Sequence, residues 1–433
     1  MSVWQRDALR RTELLEEQLK KSESALGSFR ALDLTDEKGL LCGKVLASLG
    51  AEVIKVEPPG GDQARNIPPF YKDIPHPEKS LYYLAYNANK KSITLNIDNP
   101  DGQGIFRKLV KTSDFVIESF EPGHMDQLGL GYSELSKVNP RILMTSITPF
   151  GQTGPYRNYK PSDLMCSAMS GFMYLTGDPD RAPLRISVPQ AYSLGGVEGA
   201  VATMIAHYYR ERTGEGQYVD VSIRDAMIKT TVNALPWWEH SKKIMKRGGN
   251  CWMLRGEKLR VLWPCKDGYV SFALHGGRLG AKRNRQLVKW MDSEGMASDY
   301  IKSVDWDNLD METASQELRS EMDAAVIGFF IAHTRKELNE GALARGIMLS
   351  PVCTIEDIAV NPQLEARGFW DEVEHPELGA TLTYPGASFK ASVTPCVKTI
   401  RAPYIGEHNE EVYIGELGMS REELAILKGA KVI

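Results

Sequence analysis

The chain has 433 residues, 42% of them hydrophobic and 25% charged, which allows two or three lobes of ordinary size and marks a globular protein. A net charge of −4 with the signs intermixed argues against nucleic acid as a main partner, and no apolar run approaches the roughly 18 residues that span a bilayer. Six scattered cysteines without a Cys-x-x-Cys pair, and eight histidines without His-x-x-x-His spacing, suggest neither a disulfide framework nor a metal site. The opening Met1-Ser-Val-Trp-Gln-Arg-Asp7 lacks a basic-then-apolar signal pattern, so a cytoplasmic protein without a membrane partner is expected.

Residues 1–28 are highly charged, with Leu9, Leu14, Leu15 and Leu19 as a partial apolar stripe. They are expected to form a helical extension that lies solvated on the surface or contacts a partner chain. Arg30–Leu34 reads as a short buried strand, Leu40–Leu49 as a helix ended by Gly50, and Ala51–Glu57 as the next strand, closed by the loop Pro58-Pro-Gly-Gly61. A strand–helix–strand unit of this length implies parallel neighbours and a right-handed crossover. Its first turn, Thr35-Asp-Glu-Lys-Gly39, has one glycine where a dinucleotide fingerprint needs three. NAD is therefore disfavoured, and Glu57 reads as a structural or loop-capping residue.

More α/β units follow: a helix over Pro100–Lys111 and strands over Phe115–Glu118 and Arg141–Ile147. The loop Thr148-Pro-Phe-Gly-Gln-Thr-Gly-Pro155 is of the kind that lets backbone approach a ligand. A helix from Gly196 to Arg212 leads into the strand Gln217–Ser222. Leu262–Ala273 reads as a hairpin turning at Asp267-Gly268, and Ala344–Cys353, interrupted by Pro351, as a linker or edge strand. The expected organisation is an α/β fold: an extension over 1–28, a large α/β domain beginning at 29–225, a smaller α+β domain with linkers over 226–350, and a segment over 351–433 returning to the large domain.

Many stretches, in order from about residue 30 to Ile433, resemble CoA-transferase family III (the formyl-CoA and crotonobetainyl-CoA transferase type). Among them are Leu49-Gly-Ala-Glu-Val-Ile-Lys-Val-Glu57, Asn89-Lys-Lys-Ser-Ile-Thr-Leu95, Phe120-Glu-Pro-Gly123, Gly151-Gln-Thr-Gly-Pro155, Ala366-Arg-Gly-Phe369 and Gly406-Glu-His408. The resemblance implies a Rossmann-like large domain, a smaller α+β domain and two subunits interlocked as a dimer. It also implies an aspartate after a Val-Pro-x-Ala-like strand end. That carboxylate attacks a thioester, holds the acyl group as a mixed anhydride, and is then attacked by the CoA thiolate. Counting back from Gly214 places Tyr192 on the nucleophile's position. A phenol has a pKa of about 10 and supplies little phenolate at neutral pH. Read by itself, Tyr192 is an amphipathic core tyrosine, and no catalytic residue is expected in this chain.

Other positions depart from the family pattern together. The loop usually ending Ala-Gly-Pro reads Glu37-Lys-Gly-Leu40, the basic position of Asn-Phe-Arg-Pro-Gly is Glu121, and an arginine often found shortly after it is Gln127. Arginine's fork suits the phosphates of CoA, and glutamate reverses the sign. Leu95 and Phe120 remain as vestigial CoA contacts. CoA is expected to be a substrate of the complex bound by the partner, and no cofactor is expected to be covalently held. Asp163 is an acid that the family commonly keeps beside its nucleophile, here expected to be structural, and Glu198 is expected to point away from Tyr192. The racemase branch's His–Asp pair falls on Ser162 and Tyr192, which excludes its proton abstraction. Trp237 and Trp238 are candidates to line an aromatic-acid pocket, with buried packing the main expectation.

These features imply a non-catalytic subunit of a heteromeric CoA-transferase, with the nucleophilic Asp supplied by a homologous partner. The enzyme would move CoA between an acyl-CoA such as succinyl-CoA and a carboxylic acid, benzylsuccinate among the candidates. A self-sufficient homodimer using another carboxylate, and a scaffold or regulatory protein of the same fold, are the alternatives.

Overall fold

The structure, a computed structural model, describes residues 24–160, 162–254, 257–311 and 313–433. They divide into two compact units. The first holds the chain up to Ser170, Ile186–Thr231 and Gln363–Ile433; the second holds Gly171–Arg185 and Val232–Pro362.

The first unit is built on strands of which Arg30–Leu34, Glu52–Glu57, Phe115–Glu118 and Leu143–Thr148 are buried along nearly their whole length. Its elements up to the second unit are β1 (Arg30–Leu34), α1 (Leu40–Ser48), β2 (Glu52–Glu57), α2 (Leu81–Asn87), β3 (Lys90–Thr94), α3 (Pro100–Val110), β4 (Phe115–Glu118), α4 (Tyr132–Val138), β5 (Leu143–Thr148), α5 (Asp163–Met169), α6 (Ala191–Thr213), β6 (Gln217–Ser222) and α7 (Ile223–Ile228). All six strands are parallel, in the order β3-β2-β1-β4-β5-β6. This is a Rossmann order, and its direction reverses between β1 and β4, where a ligand crevice opens at the strands' carboxyl ends. Leu32, Ile54, Phe106, Val116 and Met144 are all buried in one cluster around the sheet.

Two local expectations change. α6 begins at Ala191 rather than Gly196, because the glycines at 195 and 196 are packing positions inside the helix, not its start. Residues 24–28 form a bend and turn rather than the end of a helix, with Leu26 buried and its N–H donating to the Leu49 carbonyl at 2.9 Å. Residues 1–23, including the stripe from Leu9 to Leu19, lie outside the described residues.

The second unit continues with α8 (Ala234–Ser241), the antiparallel pair β7 (Cys251–Leu254) and β8 (Glu257–Arg260), β9 (Leu262–Cys265), β10 (Gly268–Phe272), α9 (Gly277–Ser293), α10 (Gln316–Ala332), α11 (Arg335–Arg345) and β11 (Leu349–Pro351). β9 and β10 form the hairpin expected at Asp267-Gly268, and β11 pairs antiparallel at the sheet's edge. An edge tolerates Pro351, which has no N–H to give to a ladder. Trp263 is fully buried and donates its indole N–H to the Phe272 carbonyl at 2.6 Å.

The chain then returns to the first unit through the hairpin β12 (Trp370–His375) and β13 (Ala380–Pro385), and closes with α12 (Arg421–Gly429). Val412, Tyr413 and Leu424 join the core around the parallel sheet, and the Tyr413 hydroxyl donates to the Thr94 carbonyl at 2.7 Å. No helix among the described residues is long and apolar enough to cross a membrane.

Candidate active site at the head of a long helix

The site is set by how α6 starts. Its N-cap residue, Gln190, makes no side-chain cap, so the first N–H groups need another acceptor. Asp163 supplies it: its Oδ2 accepts the Tyr192 N–H at 3.0 Å. Asp163 is itself the first residue of α5, whose N-cap Ser162 accepts the Met165 N–H at 3.1 Å. A carboxylate at the positive end of a 23-residue helix is well placed electrostatically. Asp163 is thus engaged as a capping group.

One turn of α6 lies unusually close to its neighbours. A Cβ at Gly195 would come within 2.6 Å of Ile223, and one at Gly196 within 2.9 Å of Leu41. Glycine is needed at both places for space rather than for backbone freedom. The close approach holds the helix head, and with it residue 192, against α1 and α7.

Tyr192 is only 6% exposed. Burial raises its phenol's affinity for protons, and the charges of Glu37, Cys166, Asp36 and Asp163 push the same way. Such a hydroxyl stays protonated at neutral pH and is a poor nucleophile.

The surroundings are acidic. Asp36 and Glu37 lie in the loop after β1, at the switch point. That loop is tied to the one after β4: the Asp36 N–H donates to Ser119 Oγ at 2.9 Å, and the Ser119 hydroxyl donates back to Asp36 Oδ1 at 2.8 Å. The nearby cation, Lys38, is already paired with Asp36. Glu37 is raised above the ordinary carboxylate range by loss of solvent and then by Asp36. Tyr82 is raised by burial, Tyr86, Glu37 and Asp163, in that order, and the Tyr86 hydroxyl lies 3.5 Å from Ser193 Oγ. Asp36, Tyr82, Tyr86 and Cys166 were not singled out by the sequence, and Glu37 only as the first residue of a loop that departs from the family pattern. The two acids of the Thr35–Gly39 loop were the available signal, but their closeness to residue 192 is tertiary.

The remaining sequence candidates fall in different places. Glu121 and Gln127 are exposed. Leu95 is 2% exposed, within the core. Phe120 packs against that core, its ring 4.8 Å from the His124 ring. Glu198 pairs with Lys229 and lines a separate cleft with Gly151 and Arg224. Trp237 and Trp238, in α8, are each 44% exposed, so the expected burial is not found. Glu52, Glu411 and Glu416, the one carboxylate group close enough to share an ion among the described residues, already pair with Arg30 and Lys91.

Beside the loop after β4 lies a cleft of about 380 Å³ lined by Glu118, Glu121, Gln127, Gln152, Arg157 and Tyr218, among others. Glu118 is 2% exposed. Burial pushes its carboxyl up to about 7, against the opposing hydrogen bonds of Ser146 and the Phe120 N–H. A raised carboxyl favours the native state while it keeps its proton, below about pH 4.5; the advantage fades as pH rises and is gone above about 7. Glu118→Gln is therefore expected to be more stable than the parent at pH 8 by about 3 kcal/mol, and level with it at pH 4.5. Urea titrations at the two pH values measure this, and an equal difference at both would remove the assignment.

The geometry thus presents a Rossmann-ordered parallel sheet with a buried phenol at the head of α6. The sequence profile of CoA-transferase family III matches residues 29–409. The chain belongs to CoA-transferase family III. It is 36% identical over 391 residues to the subunit BbsE of succinyl-CoA:(R)-benzylsuccinate CoA-transferase from Thauera aromatica, covering 89% of this chain and 93% of that one. It is 29% identical to the succinyl-CoA–L-malate CoA-transferase beta subunit of Chloroflexus aurantiacus, over 90% of this chain and 94% of that one. A solved CAIB/BAIF family protein from Brucella suis superposes with a TM-score of 0.75 at 29% identity, covering 91% and 98% of the two chains. The α/β architecture read from the sequence is that of family III.

Proposed function

We propose that this chain is the non-catalytic subunit of a heteromeric family III CoA-transferase. A homologous partner supplies the nucleophilic aspartate and binds CoA, which is a substrate of the complex rather than a resident cofactor. The observation that carries this reading is the buried, protonated Tyr192 at the head of α6, with Asp163 already engaged as that helix's cap. The acidic rim of Asp36 and Glu37 adds support, because it disfavours the phosphates of CoA. Two relatives bear names that make them subunits. By likeness to the first, the acyl donor is succinyl-CoA and the acceptor a benzylsuccinate-type acid.

Expression alone and with a homologue that carries Asp at the equivalent of position 192 tests the reading. The lone chain is expected to show no acyl-CoA transfer above background, and the co-purified pair full turnover. Transfer by the lone chain, accompanied by a hydroxylamine-sensitive acyl adduct, would overturn it.

One observation favours a second reading, a self-sufficient homodimer. Glu37, a carboxyl with raised proton affinity, acts electrostatically on Tyr192 and so stands near the place where an acyl group would be held. On that reading the lone chain is active and Glu37→Gln abolishes transfer.

A further inference from the structure

The cleft beside the loop after β4, about 380 Å³ in volume, carries charge of one dominant sign. Its lining includes three carboxyl groups, Glu118, Glu121 and Asp126, and one base, Arg157. Positions 121 and 127 are basic in the family pattern, yet here Glu121 and Gln127 line the cleft. The bases nearest in the chain are engaged elsewhere. Lys137 pairs with Glu134 at 2.6 Å, His124 faces Asp98 at 3.4 Å, and Arg107 donates to the Gly129 carbonyl at 3.1 Å. Arg157 is exposed, so water screens it far more than it screens Glu118, which is 2% exposed.

The cleft also has the ring surfaces that a cation favours. Tyr132 and Tyr218 both line it, their ring centroids 6.0 Å apart and the planes tilted by 34°. The Tyr218 ring is held in place, because its hydroxyl donates to Ser146 Oγ at 2.9 Å. Ring faces carry negative potential and attract an ammonium group. A metal ion is the wrong guest: the three carboxyl groups do not bring their oxygens within 4.8 Å of one another, as a shared ion requires. An organic cation, which spreads its N–H donors along a carbon chain, suits separated acceptors.

We propose that this cleft binds a small organic ammonium ion of the primary amine or diamine class. One ammonium group is held by Glu118, whose Oε2 already accepts the Phe120 N–H at 2.7 Å. A second is held by Glu121 or Asp126, and the alkyl body lies along the tyrosine rings. The site belongs to this chain, whichever subunit carries the nucleophile.

The test is calorimetric titration of the full chain with putrescine, a four-carbon diamine, at low salt and pH 8, where Glu118 is ionised. Saturable binding with a Kd below about 1 mM is expected; no saturable heat overturns the proposal. Inorganic pyrophosphate, the probe of opposite sign, is expected to bind more weakly. Equal or tighter binding of pyrophosphate would mean that the cleft keeps an anion preference, and also overturns it. Glu121→Arg with Gln127→Arg, both at exposed positions, is expected to weaken putrescine at least about tenfold. Tyr132→Leu, which removes a ring face at constant charge, is expected to weaken it about threefold. Far-UV circular dichroism should be unchanged in both variants. Unchanged affinity in either one would place the diamine elsewhere and overturns the proposal.

Discussion

Tyr192→Asp in the purified single chain is expected to leave acyl-CoA transfer at least about 10⁴-fold below that of the proposed two-subunit enzyme. Restoring the reactive group restores only one part of the machinery. The new carboxylate would share the head of α6 with Asp163 and lie among Asp36 and Glu37, and like charges raise proton affinity. The CoA phosphates would meet Glu121 and Gln127 where the family pattern has arginine. Glu121 is exposed, so the repulsion is nearer the water limit of about 1 kcal/mol at 4 Å than the 4 kcal/mol of a partly buried pair. The loss of two bidentate donors adds to it. Thioester exchange and hydroxylamine trapping measure the outcome. Turnover within about tenfold of the complex would mean that the CoA site is intact, and would defeat the partner-subunit reading.

Lys90→Met should destabilise the first unit by about 3–5 kcal/mol. Lys90 and Asp33 are both fully buried, with Nζ 2.7 Å from Oδ2. The ammonium also donates to the Leu40 carbonyl and Asn87, and Asp33 accepts from the Thr35 N–H and hydroxyl. Burial opposes charge on Asp33, but Lys90 and Lys55 overcome it and hold the carboxylate below its ordinary range. Removing the cation leaves that charge short of partners, whereas the double variant Lys90→Met, Asp33→Asn should recover at least half of the loss. Hydrogen exchange of β1 and β3 amides isolates the effect from the second unit. A loss below about 1 kcal/mol would mean that the pair contributes little. The same ions anchor the crevice loop, because Lys55 also donates to the Thr35 carbonyl.

How much was legible follows from where the information resides. β4 is readable because a parallel strand covered on both faces is a continuous apolar run, Phe115-Val-Ile, and β1 because Ala31, Leu32 and Leu34 keep most of that pattern around Asp33. β3 is not read as a strand: it begins Lys90-Lys-Ser, and the buried lysine at its head is tolerated because its ammonium pairs with the Asp33 carboxylate of β1. The start of α6 is obscured by Gly195-Gly196, residues that ordinarily weaken a helix but here give it room. The place of residue 192 is legible from its spacing to Gly214, a left-handed helix end. The capping by Asp163 and the gathering of Asp36 and Glu37 depend on tertiary packing, which no local pattern encodes.

The bare backbone at 195 and 196 has a consequence for any attempt to rebuild chemistry here. With Ile223 and Leu41 already at the contact limit, even a methyl group would wedge α6 away from α7 and α1. The displacement would be felt one turn upstream, at the crevice. Reach toward a substrate is therefore governed by residues that never touch it, and engineering that leaves this seam undisturbed starts from the right geometry.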